Sequence, residues 1–501
     1  MRCHFVVDFV RLLVLNCNNF FMFTRYHTVH RHTVYLLCGF LGIRLLSFWL
    51  TPFPFILSVI AFIVLLIFGS LFYYRPELSW LFLVTEFLLG GTGHLLELGF
   101  LSLRTILVIT FVSLWYTKSF AKGDLFQHIR ELAPSSYVLI LFLLFVGFSF
   151  FRGIFVGNDI VFVVRDSIPY FFCLLLYPAA HFLKQEKNYP YYFRLFTAFI
   201  LGSALFSLMT FVLFSTGFAE IHGPYYVWFR DIVGGKITDL GEGFFRIVTP
   251  EHLLILPLLL VLLSRTIGDT LRVRPRVIWT VIVSAMLILV LNFSRTYMIG
   301  LGIGLLVLLY RHTFLSWGKV AFATVGIFFV LFIGIYGIAS GGTSLGLDLL
   351  GFRFAAVARP AIEVSTATRS TLLSPIFDLI RSHPILGHGL GTVLTFRDPV
   401  THLAVTTTQF DWGYFELWAE LGFFGLAVLS VLLFIFFRLL SYISQFSHLR
   451  SLSVGLLAAF VSLCVMEVIT PIFSHVFGVM LLVFLLGYLT PHYERYIVQR
   501  S

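Results

Sequence analysis

Residues 53–72 read FPFILSVIAFIVLLIFGSLF, an unbroken apolar run without a single charge. A helix needs about 20 apolar residues to cross about 30 Å of hydrocarbon, and a buried helix of a soluble protein needs far fewer. The run is continuous rather than alternating, so it predicts a spanning helix and not a barrel strand. Similar segments recur along the chain, near 34–50, 53–73, 78–97, 100–117, 135–151, 168–184, 191–215, 249–265, 277–293, 296–311, 319–339, 411–437, 452–469 and 472–490. The first four are poorly separated and could merge into three. The expected fold class is therefore all-α, a polytopic membrane bundle of about 12–14 transmembrane helices.

Composition agrees. The 501 residues are 59% hydrophobic and 12% charged, with a mean hydropathy of +0.96. Soluble domains carry about 25% charged residues, so water is not this chain's main solvent. The net charge of +10 is read as cytoplasmic loops and anionic lipid headgroups rather than as nucleic-acid binding. Cys3, Cys17, Cys38, Cys173 and Cys464 are scattered, without a C-x-x-C pair, which argues against a disulfide framework or a metal site. Residues 1–33 lack the small-residue cleavage site of a signal peptide and are expected to form a cytoplasmic extension.

Basic residues set the expected orientation. Lys118, Lys122 and Arg130 share one loop, Lys184 and Lys187 a second, and Arg265, Arg272, Arg274 and Arg276 a third. Arg311 and Lys319, then Arg438 and Arg450, then Arg495 and Arg500 complete six segments. All fall on one side if each span crosses once, and that side is expected to be the cytoplasm, with both termini there. The remaining organisation is N-terminal helices over 34–215, a first outer loop over 216–248, central helices over 249–339, a large outer loop over 340–410, C-terminal helices over 411–490 and a tail over 491–501. Loops longer than about 12–15 residues are usually functional or disordered. The aromatics, glycines and apolar stretch Leu372–Ile380 favour order here.

The large loop holds Arg353, Arg359, Arg369, Arg381 and Arg397 and no lysine, opposite Asp348, Glu363, Asp378 and Asp398. Surface ion pairs would account for most of these. The alternative rests on residue type, because the guanidinium fork matches phosphate bidentately whereas lysine is a point charge. Arg295 stands in Ser294-Arg295-Thr296, where two spans meet with almost no connection, and Arg246 precedes the span over 249–265 on the same side. A guanidinium at the centre of a span costs about 2.5–3.5 kcal/mol on insertion scales and less near an end, so snorkelling competes with function at Arg295. Arg152 and Arg165 bracket a short outer loop. Together these cations could hold a dianionic, lipid-linked head.

The stretch from Arg381 to Gly425 is the richest. His383-Pro384-Ile385-Leu386-Gly387-His388-Gly389-Leu390-Gly391 places three glycines at alternate positions after a proline, which permits positive φ or close backbone approach. Asp411-Trp412-Gly413-Tyr414-Phe415 then opens a span, with Asp411 a candidate helix cap. Downstream follow Ala419, Glu420, Gly422 and Gly425.

Taken together, these residues resemble the O-antigen ligase and polymerase superfamily of bacterial surface-polysaccharide assembly. The family pattern has an upstream arginine, resembled here by Arg369, then P-x-x-G-x-G-x-G, resembled by Pro384–Gly391. It closes on a motif similar to H-N-x-Y-L-x-x-x-A-E-x-G-x-x-G, with which Tyr414, Phe415, Ala419, Glu420, Gly422 and Gly425 fall in register. Ser294-Arg295 resembles the pair opening a mid-chain span in the family. The resemblance covers roughly residues 245–440. It departs at the first positions of the closing motif, where Asp411 and Trp412 replace histidine and asparagine.

The resemblance implies a bacterial inner-membrane glycosyltransferase working on the periplasmic face without a cofactor. Its donor would be a polyprenyl-diphosphate-linked glycan, and its acceptor lipid A–core or a growing glycan. Arg246, Arg295, Arg369 and Arg381 would bind the diphosphate, with Gly387, Gly389 and Gly391 as the glycine loop and Tyr414 and Glu420 as motif support. Asp411 or His402 would deprotonate the acceptor. The Asp411 substitution leaves a polymerase open beside a ligase. A transporter or flippase is the alternative from another class and would use Glu86 and Glu467 near the bilayer midplane, neither having an obvious basic partner in the sequence. A non-enzymatic partner in an assembly complex would tolerate replacement of Arg295 and Arg369.

Overall fold

The computed structural model describes residues 26–98, 101–124, 135–268, 275–358, 363–398, 402–408, 410–446 and 449–498. Most of the expected extension over 1–33 lies outside them, as do Arg130, Arg272, Arg274, Arg359 and Arg500. The helices are α1 (Tyr26–Leu50), α2 (Pro54–Tyr74), α3 (Pro76–Leu89), α4 (Leu103–Lys122), α5 (Ser135–Val156), α6 (Ile160–Phe171), α7 (Leu176–Leu183) and α8 (Tyr189–Ser215). After them come α9 (Pro224–Asp231), α10 (Ile255–Ile267), α11 (Pro275–Asn292), α12 (Arg295–Leu308) and α13 (Phe314–Ala339). The chain ends with α14 (Leu347–Ala358), α15 (Val364–Ser382), α16 (Gly413–Ile443), α17 (Arg450–Met466) and α18 (Val476–Val498). Three antiparallel two-stranded hairpins interrupt them: β1 (Glu97–Leu98) with β2 (Leu101–Ser102), β3 (Lys236–Asp239) with β4 (Phe245–Val248), and β5 (Leu394–Arg397) with β6 (Ala404–Thr407).

Each of the fourteen hydrophobic segments read from the sequence contains helix. Among the described residues, nine helical stretches are long and apolar enough to cross a membrane, and α12, α17 and the first part of α18 are shorter apolar helices. The chain is a multi-pass helical membrane protein. Its third segment differs from expectation, because the helix ends at Leu89 and residues 90–96 form turns. Gly91 and Gly93 adopt positive φ there, and fourteen residues at 1.5 Å each give only about 21 Å of helix.

Small residues let the central helices approach closely. Gly300 and Gly304 lie one turn apart on α12, and a side chain at Gly300 would meet Met466 and Leu256. Gly455 on α17 would meet the Cα of Val261 at 2.7 Å. In lipid, where water does not drive helices together, such van der Waals fit and interhelical hydrogen bonds hold a bundle. Ser462 supplies one of the latter, donating to Gly300 O at 2.8 Å.

Two buried ion pairs sit within the bundle. Arg44 meets Glu251 at 2.8 Å, both about 1% exposed, and also donates to Leu89 O. Arg104 meets Glu86 at 3.1 Å and caps the end of α3 by donating to the carbonyls of Phe87 and Gly91. Glu86 therefore has a basic partner, contrary to the sequence reading, which had no means of pairing it with a residue 18 positions away. Among the described residues, Glu467 has none of this kind. Its carboxylate accepts the amides of Ile472 and Phe473 instead.

The bundle has two unlike ends. Ser264 bonds to His312 and to Ser451, so the turns carrying Arg265, Arg311 and Arg450 share one end. The opposite end carries both long loops, where Ser215 bonds to Gly243, Arg246 to Asn292 and Arg295 to Thr366. There α15, the β5–β6 hairpin and the head of α16 build a small separate core around Leu372, Ile376, Ile380, Leu394, Phe396 and Phe410.

Candidate functional site

The site grows from the β3–β4 hairpin. Its register pairs Lys236 with Val248, Ile237 with Ile247 and Thr238 with Arg246. Side chains alternate across a strand, so burial of Ile237 and Ile247 leaves Lys236, Thr238, Arg246 and Val248 on the other face. Arg246 is held there by its Nε, which donates to Asn292 O at 2.7 Å. That carbonyl is at the end of α11, where Phe293 turns to φ +43° and stacks on Phe332 at 5.0 Å.

Two residues later, Arg295 opens α12. Its Nη1 lies 2.7 Å from Glu363 Oε2, and its Nη2 donates to Thr366 Oγ1 at 2.6 Å. The other carboxylate oxygen of Glu363 takes Arg353, whose guanidinium also lies over the Phe293 ring. One carboxylate thus bridges two arginines, and ion pairing is what Glu363 does with Arg353. A turn beyond Thr366 on α15, Arg369 places its Nε 3.6 Å from Asp411 Oδ2. The backbone carbonyl of Arg369 accepts the indole N–H of Trp412 at 2.9 Å.

Asp411 does not cap α16. The helix starts at Gly413 with Trp412 before it and no side-chain cap, while Asp411 holds φ +56°, an uncommon conformation for a residue other than glycine. Glu416 satisfies this entry instead, accepting the Phe410 amide and the Ser474 hydroxyl. Asp411 is left partly exposed beside Arg369.

Burial, reinforced by the charges of Arg353 and Arg369, pushes the Arg246 guanidinium down to about 10. Burial also lowers Arg353, with Glu363 opposing and Arg295 adding to the effect. Lys236 is solvent-exposed, yet the protein around it lowers its ammonium, first by desolvation and then through Arg246 and Arg369, with Asp411 opposing. Five cations and two carboxylates, Glu363 and Asp411, therefore share one field. Lys236 lies outside the arginine pattern legible in the sequence; the alternation around Ile237 and Ile247 was the available signal.

The other expected residues lie elsewhere. Arg381 is at the far end of α15, about 18 Å from Arg369 at 1.5 Å per residue, 81% exposed and 3.8 Å from Asp378. His402 sits exposed at the tip of the β5–β6 hairpin with φ +57°, whereas Asp411 follows the hairpin's base. Tyr414 donates to Cys464 O at 3.0 Å. Arg152 donates to Gly387 O and is part of the glycine loop's anchorage.

That loop docks against a broken helix. Gly422 interrupts α16 with φ +71°, which frees carbonyls of the preceding turn. His388 and Gly389 donate their amides to Ala419 O and Glu420 O at 2.7 and 3.0 Å, and Ser149 Oγ donates to Glu420 O at 2.6 Å. Leu390 and Gly391 donate to Ser149 O and Asp166. A side chain at Gly387 would collide with Glu420 O, and Gly387 holds φ +66°. The glycines serve close backbone approach, and four successive amides from His388 to Gly391 are spent on the protein itself.

Among the described residues, no group of three or more His, Cys, Asp or Glu side chains is arranged to hold a metal ion. The arrangement is suited to a multiply charged anion, held beside one carboxylate at the loop-bearing end of the bundle. No curated protein matches the chain. Residues 279–430, which run from α11 to the middle of α16 and include Arg295, Glu363, Arg369, the glycine loop and Asp411, match the family model described as O-antigen ligase. This stretch of the chain therefore carries an O-antigen ligase family domain, in agreement with the resemblance to the O-antigen ligase and polymerase superfamily.

Proposed function

We propose that the protein is a membrane glycosyltransferase of the O-antigen ligase type. It takes a glycan from a polyprenyl-diphosphate carrier and joins it to lipid A–core or a related acceptor on the periplasmic face of the inner membrane, with both termini cytoplasmic. The observation that supports this most is the excess of cations around Arg246, Arg295 and Arg369, opening beside Asp411. A diphosphate at the membrane surface matches that charge and that position.

The chemistry follows from the donor. The bond between the sugar's anomeric carbon and the phosphate oxygen breaks, its electron pair stays on the diphosphate, and the acceptor oxygen forms the new glycosidic bond. Negative charge grows on the leaving group, and preorganised cations stabilise it most in the transition state. In this reading Arg369 and Arg246 do this, together with Arg295, which Glu363 holds. Asp411 takes the proton from the acceptor hydroxyl, as a positioned general base does. Hydrogen bonds to charged groups contribute about 1.5–3 kcal/mol each, so loss of one arginine lowers turnover without unfolding the bundle.

A polymerase would use the same steps with a growing glycan as acceptor. Asp411-Trp412, where the ligases carry histidine and asparagine, keeps that reading in play. Deletion of the gene, followed by gel analysis of surface glycans, separates the two. Loss of long chains from lipid A–core with accumulation of carrier-linked polymer supports a ligase, and retention of single repeat units supports a polymerase. Unchanged glycans in a strain without a redundant gene would overturn both.

A further inference from the structure

We propose that Lys236 is a further donor-binding residue, contacting the second phosphate of the diphosphate that Arg246 and Arg369 engage. The first long loop then supplies one wall of the anion site and the second loop the other. This rests on the reading of the site as a diphosphate pocket and adds a residue to it.

Three observations carry the assignment. First, the register of the β3–β4 hairpin places Lys236 and Arg246 on one face, two positions apart along the pairing. The hairpin is held firmly, because Ile237 and Ile247 are buried on its other face and Gly235 packs against the Phe229 ring. Alternation requires a residue tolerant of water at position 236, but not a positive one. Thr238 on the same face is neutral.

Second, Lys236 lies within electrostatic range of Arg246, Arg369 and Asp411, while no hydrogen bond or ion pair within 4 Å engages its ammonium among the described residues. Arg295 and Arg353 are different, since each is ion-paired directly with Glu363. An unpaired lysine facing two arginines is repelled by them. The repulsion becomes attraction when a polyanion enters between them.

Third, the groups divide the work by geometry. A guanidinium fork grips one phosphate with two parallel hydrogen bonds, and an ammonium is a compact charge with three rotatable donors on a flexible stem. Lys236 is exposed and can swing, whereas Arg246 is fixed by Asn292. A fixed fork and a mobile point charge side by side suit two linked phosphates better than one.

The test uses the full-length protein in phosphatidylcholine nanodiscs, with inorganic pyrophosphate and orthophosphate as probes and binding read by calorimetry. Lys236→Gln is expected to weaken pyrophosphate binding about ten- to a hundredfold, the range of one charge-assisted hydrogen bond, and to change orthophosphate binding less than threefold. Lys236→Arg is expected to restore most of the loss. Lys236→Thr, which repeats the neighbouring Thr238 chemistry, guards against a folding artefact and should match the glutamine variant. Wild-type pyrophosphate affinity in Lys236→Gln, with loss in Arg369→Ala, would overturn the role of Lys236 and leave the diphosphate reading standing. Equal losses for both probes would overturn the second-phosphate assignment. Absence of pyrophosphate binding by the wild-type protein would overturn the site reading itself.

Discussion

Arg369 Nε stands 3.6 Å from Asp411 Oδ2, although the two residues are 42 positions apart and belong to different elements. The indole of Trp412 ties the backbone beside Asp411 to the carbonyl of Arg369, so the pair is fixed from both sides. A cation proposed to bind the leaving group is thereby held next to the carboxylate proposed to accept the acceptor's proton. The two halves of the proposed reaction meet at one contact.

This contact separates two kinds of defect. Asp411→Asn keeps the shape and removes the proposed base, and positioned general bases contribute about 10²–10⁴ in rate. Its kcat should fall within that range while the donor KM changes only a few-fold. Arg369→Ala should instead raise the donor KM as well as lower kcat. Asp411→His, which restores the residue type found in the family pattern, should retain more activity than the asparagine variant. Transfer from a lipid-linked donor by the reconstituted protein measures all three. Equal activity of the wild type and Asp411→Asn would remove Asp411 from the mechanism.

A second prediction concerns the glycine loop. Gly387 combines φ +66° with an approach to Glu420 O that leaves no room for a side chain, whereas Gly341 has φ +65° and open space around it. The left-handed conformation alone costs a non-glycine residue about 1–2 kcal/mol. Gly341→Ala should show only that strain, and Gly387→Ala should lose distinctly more thermal stability because the loop must leave the break in α16. Pyrophosphate affinity per folded molecule should stay unchanged in both. A selective loss of anion binding in Gly387→Ala would mean that the loop contacts the ligand after all.

The contrast between these two sites shows what was readable beforehand. Runs such as 53–72 announce helices because hydrocarbon imposes one length and one backbone solution. Arg369, Asp411 and the three glycines stood out by residue type and spacing. Their partners did not. Nothing in the chain before folding says that Glu363 will bridge Arg295 and Arg353, that Arg104 will reach Glu86, or that the glycine amides will serve the carbonyls of a helix broken at Gly422. Those are contacts across 10 to more than 60 positions, decided by packing. Lys236 fell between the two cases, since its strand alternation was visible and its neighbours were not.

The same loop carries a pH dependence. Burial lowers His388 below its ordinary value of 6.5, and His383 and Arg152 lower it further, while the bond to Leu379 O opposes them. The undocked ring binds a proton more readily than the docked one, so docking is strongest where the ring is neutral in both states. It weakens as pH falls below about 6.5, and the full penalty is reached below the lowered value. Hydrogen exchange of the Gly387–Gly391 amides, corrected for intrinsic rates, should be faster at pH 5.5 than at 7.5. His388→Asn should flatten that difference. Equal corrected rates in the wild type would show that protonation of His388 does not bear on docking.

The Arg104–Glu86 pair distinguishes a structural role from a transport path. Both side chains are under 10% exposed, and Arg104 also caps the short helix α3 through the carbonyls of Phe87 and Gly91. Removing one partner of a buried pair leaves an uncompensated charge and typically costs about 3–5 kcal/mol, whereas replacing both by apolar groups of similar size is often close to neutral. Glu86→Gln should therefore lower the thermal stability of the protein in nanodiscs markedly, and Glu86→Leu with Arg104→Met should recover most of it. If the pair is structural, the double variant also keeps glycan transfer near the wild-type level. If Glu86 carried a proton or substrate through the bilayer, the double variant would regain stability and remain inactive.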